Sequence, residues 1–173
     1  MISVSFQAIV APPFNEGVLR LEMLNAARKI SRQIKKDFER STKTWSNKPK
    51  FVIDIGFGAE ALQMGVFTND ENYARVSDGV EGKPRVARGL GGGKGAKALK
   101  IVPYTPKTVP GKLDAREGGE QEGPIIFRRY ALEAGNIKER KFDTLVSEIW
   151  EEKLPEELQA AIDRAAVKTG YTF

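Results

Sequence analysis

The chain has 173 residues, 28 Lys and Arg against 23 Asp and Glu, a formal net charge of +5, and neither cysteine nor histidine. That composition excludes a disulfide framework, thiolate or imidazole metal sites, and every Ser-His or Cys-His nucleophile pair, so no metal and no cofactor is expected. The hydrophobic fraction of 40% suffices for a core, while mean hydropathy is −0.39 and no window approaches the apolar length of a membrane span.

The opening MISVSFQAIVAPPF has no basic region before its apolar run, so it reads as part of the fold rather than as a signal peptide. Ile2 to Val10 alternate as a short strand, which Pro12 and Pro13 end. Asn15 and Glu16 then form an N-cap and an acidic first turn. The helix they open is expected to run to about Ser41, burying Leu19, Met23, Ala26, Ala27, Ile30, Ile34 and Phe38. Its other side carries Arg28, Lys29, Arg32, Lys35, Lys36 and Arg40, a pattern more often solvated than ligand-binding.

Trp45 stands in a polar connector and is expected to anchor it to the core. Lys50 to Phe57 alternate, with Phe51, Ile53, Ile55 and Phe57 on one face and Val52 and Asp54 on the other. Leu62 to Phe67 follow at a distance suited to an antiparallel partner, and Tyr73 to Val76 read as a third short strand before the turn Ser77-Asp78-Gly79.

From Lys83 to Arg116 the character changes. Nine residues are basic (Lys83, Arg85, Arg88, Lys94, Lys97, Lys100, Lys107, Lys112 and Arg116) against one acid, Asp114, so this run carries +8 and the rest of the chain −3. The same stretch is rich in glycine and proline, too poor in large apolar residues to order itself alone, and long for an insertion within a domain. It is expected to form an arm over about 80–117, a long hairpin with a glycine-rich tip. Ala98 to Tyr104 would be one strand and Pro106 to Gly111 the return.

Pro124 to Tyr130 read as a strand. From Lys138 the apolar positions Phe142, Leu145, Val146, Ile149 and Trp150 mark a helix, and Leu158, Ala161, Ile162 and Ala165 continue it beyond Pro155 as a second helix or a kinked first one. The whole reads as a single α+β domain over residues 1–173. An antiparallel sheet of four to five strands packs on a long N-terminal helix and one or two C-terminal helices, with a long basic hairpin arm.

No motif builds an active site. Gly89 to Gly95 lack the Ser or Thr that a phosphate loop needs after its Gly-Lys pair, and Gly91 to Ala96 match a dinucleotide pattern outside any βαβ unit. Phe51 to Gly56 (FVIDIG) resemble the phosphate strand of actin-like ATPases, but the chain is too short for that fold and a second acidic strand is missing. Asp54, Asp70, Glu71 and Asp78 make at best a scattered carboxylate set. The chain is therefore not expected to be an enzyme. The arm has three readings. As a nucleic-acid grip it has Tyr104 as its one aromatic. As a solubilising loop it is too apolar at Leu90, Leu99, Ile101, Val102 and Val109. As a subunit-bridging arm it pairs apolar patches with a neighbour while its lysines meet acidic faces.

Four features together resemble one family. They are the basic amphipathic helix Leu19–Phe38, the strand pair FVIDIGF and LQMGVF, the segment Asn72 to Gly79 (NYARVSDG), and Arg140-Lys-Phe-Asp143 before the closing helix. In this layout the chain resembles the tail-completion and tail-terminator (neck, head-tail joining) proteins of long-tailed bacteriophages. The resemblance implies a structural virion protein, assembled in the host cytoplasm. It would form a homo-oligomeric ring, commonly six-fold, that caps the tail tube protein, meets the head connector or stopper protein, and passes DNA through its lumen without sequence-specific contact. In that setting the residues from Lys83 to Arg116, with Ile101 and Tyr104, would be the assembly arm, and Tyr73, Arg75, Asp54 and Arg128 possible oligomer contacts. No membrane partner is expected. The alternative from a different class is a nucleic-acid-binding protein that uses the arm and the helix face Arg28–Arg40.

Overall fold

The computed structural model describes residues 2–6, 15–57, 61–81, 84–86, 98–132 and 137–171. In chain order the elements are β1 (Ile2–Phe6), α1 (Glu16–Ser41), β2 (Val52–Phe57), β3 (Leu62–Phe67), α2 (Glu71–Asp78), β4 (Pro84–Val86), β5 (Leu99–Ile101), β6 (Ile126–Arg128), β7 (Tyr130–Leu132) and α3 (Phe142–Lys168). The fold is α+β, as expected. It packs as two compact units. Unit 1 is Met1–Glu39, Pro49–Asn69 and Asp143–Phe173, and unit 2 is Arg40–Lys48 and Asp70–Phe142.

Unit 1 is built on the two long helices. At the start of α1 the Asn15 Oδ1 accepts from the amides of Gly17 and Val18, which satisfies two of the first-turn donors. All seven expected core positions of α1, from Leu19 to Phe38, are buried. The unit also holds an antiparallel sheet of order β1-β3-β2, in which Ile53 lies opposite Val66 and Val4 opposite Met64. β3 alternates as a half-buried strand must: Leu62, Met64 and Val66 are buried while Gln63 is exposed. Phe51 stacks on Phe38 with ring centroids 5.3 Å apart.

α3 is a single helix with Pro155 inside it. Proline removes one backbone donor, yet Val146 and Trp150 before it and Ala161, Ala165 and Ala166 after it are all buried, so packing holds both halves in line. The helix ends in a Schellman cap: Tyr171 N–H donates to the Ala166 carbonyl, Gly170 N–H to that of Val167, and Gly170 takes φ 91°. Three side-chain links tie α1 to α3 within this unit, one of them the Lys29–Glu157 ion pair at 2.8 Å. The Trp150 indole N–H donates to Asp37 Oδ2 at 2.9 Å, and the buried Glu22 carboxylate lies 3.2 Å from Arg164 and 2.5 Å from Lys168.

Unit 2 departs from expectation at its first element. Tyr73 to Val76 are helical, within α2, rather than a third strand. Asp70 is the cause: its side chain accepts from the Tyr73 amide and caps the helix. Tyr73 and Ser77, four residues apart, are then buried on one face. The Tyr73 ring stacks on Phe142 at 5.4 Å, and half-buried Trp45 lies 6.3 Å from Tyr73, the anchoring role expected of it.

Nor do all strands join one sheet. Among the described residues the larger sheet has three strands, and the other four form two separate antiparallel pairs, β4 with β7 and β5 with β6. The partner that returns along β5 is β6, not Pro106 to Gly111, which sit at the closing turn instead. Proline at 106 and 110 suits a turn better than a ladder strand. The glycine-rich tip, residues 87–97, lies outside the described residues.

Candidate assembly surface

Backbone pairing in unit 2 traces a two-stranded ribbon. Val80 bridges Ile137, Pro84 to Val86 pair with Leu132 to Tyr130, Leu99 to Ile101 pair with Arg128 to Ile126, and Tyr104 bridges Gln121. The ribbon ends at a turn where Arg116 N–H donates to the Lys107 carbonyl and Lys112 N–H to that of Val109. Thus the descending and ascending strands of the arm are both in hand, with Arg129 at the bend between β6 and β7.

The closing turn is tied down within the unit. Thr108 and Leu113 are buried, and Asp114 accepts a two-pronged ion pair from Arg40, which holds its carboxyl below the usual carboxylate range. The Lys107 ammonium donates to the Thr44 carbonyl at 3.0 Å, and the Thr44 hydroxyl donates to the Arg116 carbonyl at 2.9 Å. Arg140 is 8% exposed and its Nε donates to the Thr108 hydroxyl. Burial draws the Arg140 guanidinium below its ordinary value, Arg116 adds to this and Tyr104 opposes it.

The middle of the ribbon is different. Register sets Lys100 opposite Phe127, and the period of two puts Val102 and Ile125 on that same face. Phe127 is 66% exposed and Tyr104 58%, with Val102, Ile125 and Ile126 also exposed. By the same period Ile126 and Arg128 stand on the opposite face, and Arg129 follows at the bend; both arginines are exposed, and neither they nor Lys100 pairs with a described carboxylate. The result is an uncovered apolar strip rimmed by cations.

The remaining candidates fall elsewhere. Ile101 is half-buried opposite Ile126; Lys112 is exposed at the turn; Arg75 makes a helical ion pair with Glu71 at 3.5 Å; Asp54 is exposed on β2 opposite Gly65. Tyr73 is 6% exposed, so its ring is inside the unit rather than on its surface. Arg85 is placed by its backbone in β4, opposite Ala131, while Lys83, Arg88, Lys94 and Lys97 lie outside the described residues. Sequence reasoning missed Phe127, because only the strand register reveals that this aromatic stands across from Lys100, 27 residues earlier.

Charge is divided between the units. Unit 2 holds 18 Lys and Arg against 10 Asp and Glu, and unit 1 holds 10 against 13, giving +8 and −3. The acids concentrate toward the C-terminus, where seven stand against three bases from Asp143 onward. A groove of about 500 Å3 in unit 1, lined by Gln33, Lys36, Asp37, Trp150, Lys153, Glu156 and Glu157, mixes both signs, and Lys153 lies over the Trp150 ring at 5.6 Å. Among the described residues no three carboxylates converge as a metal site, and no helix is long and apolar enough to cross a membrane.

These features define a two-unit α+β protein that displays a basic, aromatic ribbon. Comparison with protein-family models, with curated proteins and with solved structures finds no match.

Proposed function

We propose that the chain is a non-enzymatic structural subunit that assembles with copies of itself, of the kind that completes the tail of a long-tailed bacteriophage and joins it to the head. The observation that carries this reading is the ribbon strip at Val102, Tyr104, Ile125 and Phe127. Contiguous exposed apolar surface rimmed by polar groups marks an interaction site. Among the described residues nothing pairs with the outer edges of β1 and β2 in the three-stranded sheet, and a ring of subunits is one way such edges become covered. The sequence layout supports the finer assignment: a ring, six-fold by analogy, between the tail tube protein and the head connector, with DNA in its lumen.

Light scattering and electron microscopy of the purified protein test the reading. A closed oligomer that captures tail tube protein is the expected result; a protein that stays monomeric at its highest soluble concentration, alone and with tail tube protein, overturns it.

One observation favours a second reading. Phe127 beside Arg128 and Arg129, and across from Lys100, offers a base a stacking surface with phosphate-binding cations around it. That reading requires single-stranded DNA binding that weakens steeply with salt and is lost in Phe127→Ala. Filter binding at two ionic strengths separates the two.

A further inference from the structure

We propose that the ribbon of one copy seats on the acidic outer face of α3 in a second copy, so that subunits join head to tail; the inference rests on the self-assembly reading and names its contact. The two surfaces are complementary. On α3, Glu148, Glu151 and Glu152 are exposed, on the side away from buried Val146 and Trp150, and none pairs with a described cation. On the ribbon, Lys100 is exposed across from Phe127, Arg128 and Arg129 follow it, exposed, at the end of β6, and none of the three pairs with a described carboxylate.

Like-with-like contacts are disfavoured by the same charges. Ribbon against ribbon brings the three cations of each copy together, and α3 against α3 does so with the three glutamates, whereas ribbon against α3 pairs opposite signs. Exposed ion pairs add little affinity on their own. Their role here is to choose the orientation, while burial of Phe127, Val102 and Ile125 supplies the attraction. Because the two faces differ, the contact is heterologous and repeats around an axis, closing into a ring where the rotation permits.

Charge reversal with complementation tests the pairing. One variant carries Lys100→Glu, Arg128→Glu and Arg129→Glu; the other carries Glu148→Lys, Glu151→Lys and Glu152→Lys. All six side chains are exposed, so circular dichroism and melting should match the parent. Each variant alone should run as a monomer by light scattering, and an equimolar mixture should recover the oligomer, since every contact between unlike variants then joins opposite signs. Parent oligomer that salt dissociates fits as well.

Variants that both assemble like the parent, or a mixture that stays monomeric, overturn the pairing while leaving self-assembly standing. A parent that never leaves the monomer overturns both. Should either triple variant fail to fold, the cysteine-free background permits a gentler measurement. Lys100→Cys, directly opposite Phe127, combined with Glu151→Cys should give a ladder of disulfide-linked oligomers on oxidation, and monomer alone counts against the contact.

Discussion

The Ser77 hydroxyl accepts a hydrogen bond from the Phe142 amide at 3.2 Å, and the Ser77 carbonyl accepts from the amides of Arg140 and Lys141 at 2.9 Å. One buried residue near the end of α2 therefore satisfies three donors at the start of α3. Phe142, fully buried and stacked on Tyr73, is held at its backbone by this serine. Ser77→Ala leaves the Phe142 amide without its side-chain acceptor and should cost about 1–2 kcal/mol. Urea unfolding measures it, and a midpoint equal to the parent's would mean that the cap contributes nothing.

Gly79 is the next residue but one. It takes φ 80°, and a Cβ there would stand 2.8 Å from Glu139 N and from Ile137 O. Both are backbone atoms of the segment whose Ile137 bridges Val80, so no side chain can swing aside. Gly79→Ala should lose roughly 1–3 kcal/mol from strain alone, with the contact adding to it. The base of the ribbon should loosen first. Hydrogen exchange at Val80 and Ile137, whose amides bond one another's carbonyls, should accelerate more than exchange at Ile30 on α1.

The long elements were legible in the sequence because their patterns run long enough to be unambiguous. The α1 stripe from Leu19 to Phe38 spans more than five turns, and β2 and β3 alternate cleanly. Tyr73 to Val76 were not, since four residues fit either period and the deciding signal, Asp70 as a cap, lies outside them. The candidate surface was half legible. Basic residues from Lys100 to Arg116 announce themselves by composition, but Phe127 joins Lys100 only through the pairing of β5 with β6, a register no local pattern encodes. Separation of charge was legible as +8 from Lys83 to Arg116 against −3 in the rest of the chain, whereas which acids of α3 stand exposed was not.

Ser31 offers a stabilising change. Its Oγ is buried in α1 and has no hydrogen-bond partner among the described residues. Ser31→Ala removes the desolvated hydroxyl and places the best helix former in a helix interior, so stability should rise by about 0.5–1 kcal/mol. A fall in melting temperature would show that the hydroxyl has a partner in solution.

Glu22 sets the response to acid. Hydrogen bonds from Lys168 and then Arg164 hold its carboxyl below the ordinary value of 4.5, with burial acting the other way. The folded state thus binds the Glu22 proton less readily than the unfolded chain does. Its stabilisation is complete above the unfolded value and is lost as pH falls through the depressed folded one. Asp114, lowered by Arg40 from 3.8, adds a contribution of the same sign in the same acid range. Glu22→Gln should melt below the parent at neutral pH, because Arg164 and Lys168 then lose their shared anion. On acidification the parent loses this ion pair and the variant has none to lose, so the two melting curves should converge. Melting temperatures taken from neutral pH down to about pH 2 decide it: a gap that stays constant across that range would place the acid response elsewhere.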